Sequence, residues 1–380
     1  MTSDLAAGSL DGALGKALFD RQWVPAPAST DAADGLGPLF NARSCASCHP
    51  GGGRGRFTED RNGQITGNGL VARLGDSAGT EDPTYGSQLQ TSGAAGQTGE
   101  GRLLRRADGN LEIKDFGYGK LHPATRFGGR LAPSLHGLGL IALIADADIL
   151  QWADPEDSNR DGISGRANFV ADTQGNQALG RFGWKAGHAD LTALTASALS
   201  LDLGLSNPLA QDPHGDCTAA QTACRAAPHG ASQRFQGLEV SSDMLAFIVT
   251  YISTLQPPPR RPLEPPALAR FTGIGCAQCH RPQIPLPAGG QVAAFSDFLI
   301  HDMGPHLADG IGDHQATGRE WRTAPLWGIR EASRFLHDGR ATTLRQAIAL
   351  HGGEAAPSRD AFLNLSAENQ DQLLNWLSQL

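Results

Sequence analysis

Cys45-Ala46-Ser47-Cys48-His49 and Cys276-Ala277-Gln278-Cys279-His280 repeat one pattern, Cys-x-x-Cys-His, at two places along the chain. The pattern sets two thiols and an imidazole almost side by side. Thioethers at both thiols would tether a porphyrin and the adjacent histidine would ligate its iron, so each stretch predicts one covalently attached haem c. A zinc site made from the same residues would need two further ligands at regular spacing after each motif. Neither motif is followed by such ligands. Two haems are therefore expected, with His49 and His280 on the irons.

Working outward, the 380 residues are enough for two or three domains, and a 40% hydrophobic content is enough for packed cores. The 48 glycines and 23 prolines predict long ordered loops. The net charge of -8 and the lack of a dense basic run argue against nucleic acid as a partner. The longest apolar run, Leu138 to Ile144, is too short to span a membrane. Of six cysteines, the two outside the motifs are Cys217 and Cys224, which close a small polar loop. That pair reads as a disulfide, and with haem c it implies an oxidising compartment outside the cytoplasm. Met-Thr-Ser-Asp-Leu-Ala-Ala-Gly at the N-terminus has neither a basic start nor an apolar run, so a mature form is expected.

Along the chain, Leu10, Leu14, Leu18 and Phe19 mark a first helix. The pair Leu39-Phe40 precedes the first motif as Leu268-Ala-Arg-Phe271 precedes the second, which suggests a repeat at the level of a domain. Between Pro50 and Arg130 short strands are expected at Val71–Leu74, Tyr85–Gln90 and Leu111–Lys114. Helical segments are expected within 132–144, from Asp146 to Trp152, up to Leu201, from Ser241 to Leu255, and after Ser366. The expected fold is mainly α: two cytochrome c-like haem domains, the first carrying a long glycine-rich, partly β insertion. The expected boundaries are 1–256, a proline-rich linker at 257–266, and 267–380. In each domain the last helix would cross the first.

Asp157, Asn159 and Asp161 alternate before Gly162, as ligands do at the start of an EF-hand-type loop, and the carbonyl of Ile163 would come next. The twelfth position is Asn168 instead of glutamate. Calcium and a polar turn held by Asx hydrogen bonds both remain open readings.

These residues carry a family resemblance. Asn41-Ala-Arg-Ser-Cys-Ala-Ser-Cys-His-Pro50, Tyr85-Gly-Ser-Gln-Leu-Gln90, Asp161-Gly-Ile-Ser-Gly165, Gly180-Arg-Phe-Gly-Trp-Lys-Ala186, Cys217 to Cys224, His301-Asp-Met-Gly-Pro305, Trp321-Arg-Thr-Ala-Pro325 and Phe335-Leu-His-Asp-Gly-Arg-Ala341 span nearly the whole chain. It resembles the di-haem oxidoreductase family, also known as thiol oxidoreductases. That family lies within the superfamily of bacterial di-haem cytochrome c peroxidases and methylamine-utilisation di-haem enzymes.

The resemblance implies a periplasmic, peroxidase-like enzyme. Electrons would enter at the C-terminal haem and reduce hydrogen peroxide at the N-terminal one. For the C-terminal iron the candidate sixth ligands are Met303 and His351; the family position falls on His351, giving a bis-histidine iron, with Met303 at the haem edge and His337 as a donor to a propionate. The resemblance makes His122, shortly before Ala132-Pro133, a removable ligand of the N-terminal iron. Asp202 takes the place of the family's proton-shuttling glutamate, and Trp184 that of the tryptophan between the haems. Gln88, Gln90 and Tyr85 form a polar strand suited to the distal pocket. The family's bridging calcium has no clear counterpart, so a calcium ion would sit at Asp157 to Asn168. The electron donor would be a small c-type cytochrome or a cupredoxin, and a homodimer is an assembly the family allows. Two rivals keep the haems: peroxide-driven oxidation of a partner protein, and a non-enzymatic di-haem electron carrier. Thiol oxidation has no support in the non-haem cysteines.

Overall fold

Two helices that cross at a glycine set the base of the first haem motif. In the computed structural model, which describes residues 9–30, 32–94, 96–260 and 264–380, helix Leu10–Asp20 packs on helix Ser242–Thr254. Ser9 and Ser241 cap them, their hydroxyls accepting from the N–H of Gly12 at 3.1 Å and of Met244 at 3.3 Å. The inward face of the first helix is Gly12, Gly15, Leu18 and Phe19, while Leu10 and Leu14 face solvent. A Cβ on Gly15 would lie 1.9 Å from the Phe247 carbonyl oxygen, so only glycine allows this approach. Phe19 closes the crossing edge-on to Tyr251 at 5.2 Å.

By contacts the chain forms two units, neither of them continuous in sequence. The first holds the described residues up to Leu135, with Leu191–Leu255 and Gly310–Gly312; the second holds His136–Asp190, Gln256–Asp309 and Asp313–Leu380. Of the expected linker, residues 261–263 lie outside the described residues, as do residues 1–8 of the expected mature N-terminus. Pro265 and Pro266 belong to the first turn of helix Pro265–Gly273, where a missing N–H costs nothing.

In the first unit, Leu70–Gly75 is the central strand of a three-stranded antiparallel sheet. It pairs with Arg126–Leu131 in the register Leu70↔Leu131 and Leu74↔Phe127, and with Gln88–Leu89. Leu70, Ala72 and Leu74 alternate inward and meet Phe57, Tyr85, Leu89, Leu103, Ile113 and Leu131 in one core. The fully buried Tyr85 donates its hydroxyl to the Gly119 carbonyl and accepts from the Tyr118 N–H at 3.0 Å. Of the expected strand Tyr85–Gln90, only Gln88–Leu89 forms. Helix Leu191–Leu203 packs on Ser242–Thr254. The Cys217–Cys224 disulfide is present.

The second unit repeats the crossing. Helix Pro265–Gly273 packs against helix Ala367–Leu377, capped by Ser366, and Phe271 meets Trp376 at 5.4 Å and Phe295 at 5.9 Å. Phe271 is therefore matched by Phe19, and the expected pairing with Phe40 is corrected. Asp34-Gly-Leu-Gly-Pro breaks the helix, and Leu39–Phe40 becomes a short strand paired with Ser92–Gly93. Strand Ile300–Asp302 pairs with Glu320–Arg322, setting His301 opposite Trp321.

The expectation of a mainly α chain is overturned: 28% of it is helical and 18% is strand. Glycine and proline account for the difference, because they end helices that the apolar pattern alone would extend. The run 132–144 yields only helix Leu138–Ala142, since Gly137 turns at φ 80° and a Cβ there would meet the Trp327 ring at 2.3 Å. No helix among the described residues is long and apolar enough to cross a membrane.

Candidate haem sites

Each motif folds into one tight helical turn. Cys45–Cys48 is a turn of helix capped by Ser44, whose hydroxyl accepts from the Ser47 N–H at 3.1 Å, and the His49 N–H donates to the Cys45 carbonyl at 2.9 Å. Cys276–Gln278 forms a tighter 3-10 turn, and the His280 N–H donates to the Cys276 carbonyl at 3.0 Å. Spacings of three and four residues bring both thiols and the imidazole to one face of such a turn. Burial pushes both imidazoles down to about 4, so each is neutral near pH 7, as an iron ligand must be.

Around the first turn, Asp202 acts twice. Its carbonyl accepts from the N–H groups of Asn41 and Ala42 at 2.9 and 3.0 Å, anchoring the segment that enters the motif. Burial raises the pKa of its carboxyl, and Gln88 Nε2 donates to Oδ1 at 2.7 Å, which opposes that rise. Burial and then the Asp202 charge push the Cys45 thiol up to about 12 and the Cys48 thiol well above its ordinary value. Asp202 thus lies within electrostatic reach of both Cys45 and Cys48. Gln90 Nε2 donates to the Leu201 carbonyl at 2.8 Å, and its Oε1 accepts from Asn41 Nδ2, also at 2.8 Å. Asn41 is buried and central to this network, a role the sequence alone did not reveal; its place just before the motif was the available signal.

The strand Gln88–Leu89 and its flanks gather two more buried carboxyls. Asp216 accepts from the N–H of Ser87 and Gln88 at 2.8 and 2.9 Å, and burial pushes it up to about 7. Glu100 accepts from the Gln90 N–H and from the Gln221 amide, and burial pushes it up to about 8. His122 stands exposed on its loop. Its N–H donates to Asp82 at 2.9 Å and its Nδ1 accepts from the Ala124 N–H at 3.3 Å.

In the second unit, His280 and His351 are brought together. His280 Nδ1 donates to the Phe295 carbonyl at 2.9 Å, and His351 Nδ1 donates to the Ala347 carbonyl at 2.7 Å. A carbonyl can only accept, so both rings carry their proton on Nδ1 and present a lone pair on Nε2. Burial lowers both; His351 lowers His280 further, and the Arg359 charge lowers His351 further. The Met303 N–H donates to the Arg319 carbonyl at 3.0 Å, and its own carbonyl would meet a Cβ on Gly352 at 3.0 Å. The turn 301–304 thus packs against the backbone just after His351.

His301, which the sequence singled out only through its motif, sits in a buried charge cluster. Nδ1 lies 2.8 Å from Glu354 Oε2, Nε2 lies 3.0 Å from Asp297 Oδ2, and Cys279 Sγ lies 3.7 Å from Nδ1. Burial alone would lower this imidazole, but Asp297 and then Cys279, each by charge and hydrogen bond, hold it well above its ordinary value. With both nitrogens engaged it offers no lone pair to iron. His337 stacks on Trp321 at 3.6 Å and 13°, and Trp184 meets it edge-on at 6.4 Å. The buried Lys185 caps the stack, its ammonium 4.1 Å from the Trp321 centroid and bonded to the carbonyls of Thr317 and Glu320 at 2.7 and 2.9 Å.

The acidic loop turns its oxygens on its own backbone. Asn159 Oδ1 accepts from the Asp161 N–H, Asp161 Oδ1 from the Ile163 N–H, and Asp157 Oδ1 from the Gly162 N–H, at 2.9, 2.9 and 3.2 Å. The first two are Asx turns, and the third closes the loop across five residues. The Asn168 amide donates to the Lys185 and Asp313 carbonyls and accepts from the Gln315 N–H.

The donor sets fit haem. His49 Nδ1, Trp152 Nε1 and Arg281 Nε are, among the described residues, the buried side-chain polar atoms left without a hydrogen-bond partner, and each belongs to a motif or to its neighbourhood. Two such turns, each with a buried neutral histidine, define a di-haem protein.

The comparisons narrow the class. The family model described as "Di-haem oxidoreductase, putative peroxidase" matches residues 118–380, more than half of the chain. The chain belongs to this di-haem oxidoreductase family. The match covers the second motif and begins after the first. No curated protein matches. Among solved structures, a variant of the diheme peroxidase BthA from Burkholderia thailandensis is 15% identical, with 97% of this chain and 85% of that one covered and a TM-score of 0.43. Hydrazine synthase from Kuenenia stuttgartiensis is 17% identical, with 49% and 70% covered and a TM-score of 0.28.

Proposed function

We propose that the protein is a periplasmic di-haem peroxidase in which electrons enter at the haem of Cys276, Cys279 and His280 and hydrogen peroxide is reduced at the haem of Cys45, Cys48 and His49. When bound, haem iron supplies the one-electron chemistry. Reduction of peroxide to two waters takes two electrons and two protons, and at the first site the chain's own residues must move the protons. Asp202 suits proton transfer there, because it is buried, within electrostatic reach of the attachment cysteines, and held by Gln88 at 2.7 Å. This single observation carries the reading. In its ionised form Asp202 would take the proton from one peroxide oxygen and return it to the other.

At the second site, His280 and His351 would hold the haem iron, each ring oriented by its Nδ1 bond. A saturated iron suits electron transfer. Met303 then lines the haem edge, and His337 with Trp184 forms an aromatic relay for the outgoing electron. His122, exposed on its loop, would be the removable ligand of the first site. The donor would be a small c-type cytochrome or a cupredoxin.

The contiguous rings of Trp184, His337 and Trp321 favour a second reading, peroxide-driven oxidation of a partner protein, because aromatics in contact can carry a hole. Low-temperature electron paramagnetic resonance of the oxidised protein, before and after peroxide, tests both. A high-spin ferric signal abolished by peroxide supports a peroxide-reactive enzyme. A long-lived two-electron-oxidised state without donor favours the second reading. Two low-spin signals indifferent to peroxide, also after half-reduction, would remove both.

A further inference from the structure

Two buried donors without partners lie side by side in the second unit. Trp152 follows helix Asp146–Leu150, and Arg281 follows His280 directly. The Arg281 guanidinium sits 4.5 Å from the centroid of the Trp152 indole, so the ring fixes the plane of the cation. Arg281 Nε and Trp152 Nε1 are both buried and unpaired. Leaving one buried donor unsatisfied costs about 1–3 kcal/mol, and more when the group is charged. Both groups can only donate. Their missing partner is therefore an acceptor, and beside a guanidinium the best acceptor is an anion with two oxygens.

Position narrows the anion further. Arg281 is the residue after His280, whose Nε2 lone pair is free for iron. A haem held by that histidine would itself carry two carboxylates. We propose that Arg281 and Trp152 together bind a propionate carboxylate of the C-terminal haem. The inference rests on haem at the second motif. Arg281 neutralises the propionate charge and Trp152 orients the guanidinium while adding a second hydrogen bond. Both act on the iron through the propionate and are positioning residues.

Neutralising a propionate favours the ferrous iron, so losing the cation should disfavour reduction. Spectroelectrochemical titration of the intact protein, with haem content measured by pyridine haemochrome, is the test. Arg281→Gln should lower one of the two reduction equilibria about tenfold, equivalent to about 59 mV for one electron, and leave the other in place. Trp152→Phe, which keeps the ring but loses its donor, should lower the same equilibrium about threefold, the worth of a neutral hydrogen bond. Arg281→Lys should restore most of the loss. Unchanged potentials in both Arg281→Gln and Trp152→Phe at full haem content would overturn the proposal, as would equal shifts at both haems. A wild-type potential that moves with added phosphate would assign the pair to a dissolved anion and also overturn it. Failure of the wild-type protein to hold two haems would instead sink the underlying di-haem reading.

Discussion

Gln88 bridges two buried carboxyls: its side-chain amide donates to Asp202 at 2.7 Å while its backbone N–H donates to Asp216 at 2.9 Å. One short strand thus fixes the proposed proton carrier and ties it to the segment beside the disulfide. The Gln88 bond favours ionised Asp202 against the effect of burial. Peroxide turnover that needs ionised Asp202 falls as pH drops through its pKa. Gln88→Met removes the opposing bond and should move this acid limb to higher pH. Asp202→Asn should abolish the limb and lower turnover by about 100-fold, the low end for acid–base catalysis, with both haem spectra largely intact. Stopped-flow peroxide assays across pH check both, and unchanged turnover in Asp202→Asn would exclude that residue from the mechanism.

His351 predicts a spin state. If its Nε2 ligates the C-terminal iron, His351→Ala converts one low-spin ferric signal, about half the haem, to high spin. His351→Met should keep that iron low-spin and raise its potential, because thioether ligation favours ferrous iron. A spectrum of His351→Ala identical to wild type would point to Met303 as the ligand.

Stability should depend on pH in an unusual direction. Asp216, Glu100 and Glu239 are pushed by burial up to about 7, 8 and 7. Their folded-state values lie above the unfolded ones, so their contribution is complete below pH 4 and is lost as pH rises towards 8. The first unit should lose several degrees of Tm between pH 5 and pH 8. Asp216→Asn keeps an oxygen for the Ser87 and Gln88 amides and should flatten the slope. Calorimetry of both proteins over that range decides it, and an equal or steeper slope in Asp216→Asn would contradict the assignment.

Gly15 is a packing prediction. Gly15→Ala forces a methyl into the Phe247 carbonyl, and overpacking of this kind costs about 1–3 kcal/mol. At about 2–4 °C per kcal/mol for a unit of this size, Tm should drop visibly. Exposed Leu14→Ala, one position away, should change Tm little.

What the sequence made legible follows from how far apart the cooperating residues lie. The haem turns were readable because Cys45, Cys48 and His49 act within one helical turn. The capped helices at Ser241 and Ser366 were readable because a cap and an apolar stripe are local signals. Phe19 was missed as the partner of Phe271 because the second unit puts its aromatic just before Cys276, while the first inserts a broken strand-forming segment before Cys45. Cooperation across the chain left no local trace: Asp297 and Glu354 around His301, or Trp152 under Arg281. The mainly α expectation failed for a related reason, since glycines such as Gly137 stop helices for the sake of a contact with a distant ring.

The interleaved order of the two units has a consequence for biogenesis. Residues 136–190 leave the ribosome before their own partners exist: Asn168 needs the Asp313 carbonyl, and Lys185 needs those of Thr317 and Glu320. The first unit must likewise wait for Leu191–Leu255. Cutting the gene at the proline stretch would therefore not release two self-sufficient halves. The second unit, with the turn of Cys276 to His280, cannot close until its C-terminal residues are made, whereas the first is nearly complete once residue 255 has emerged.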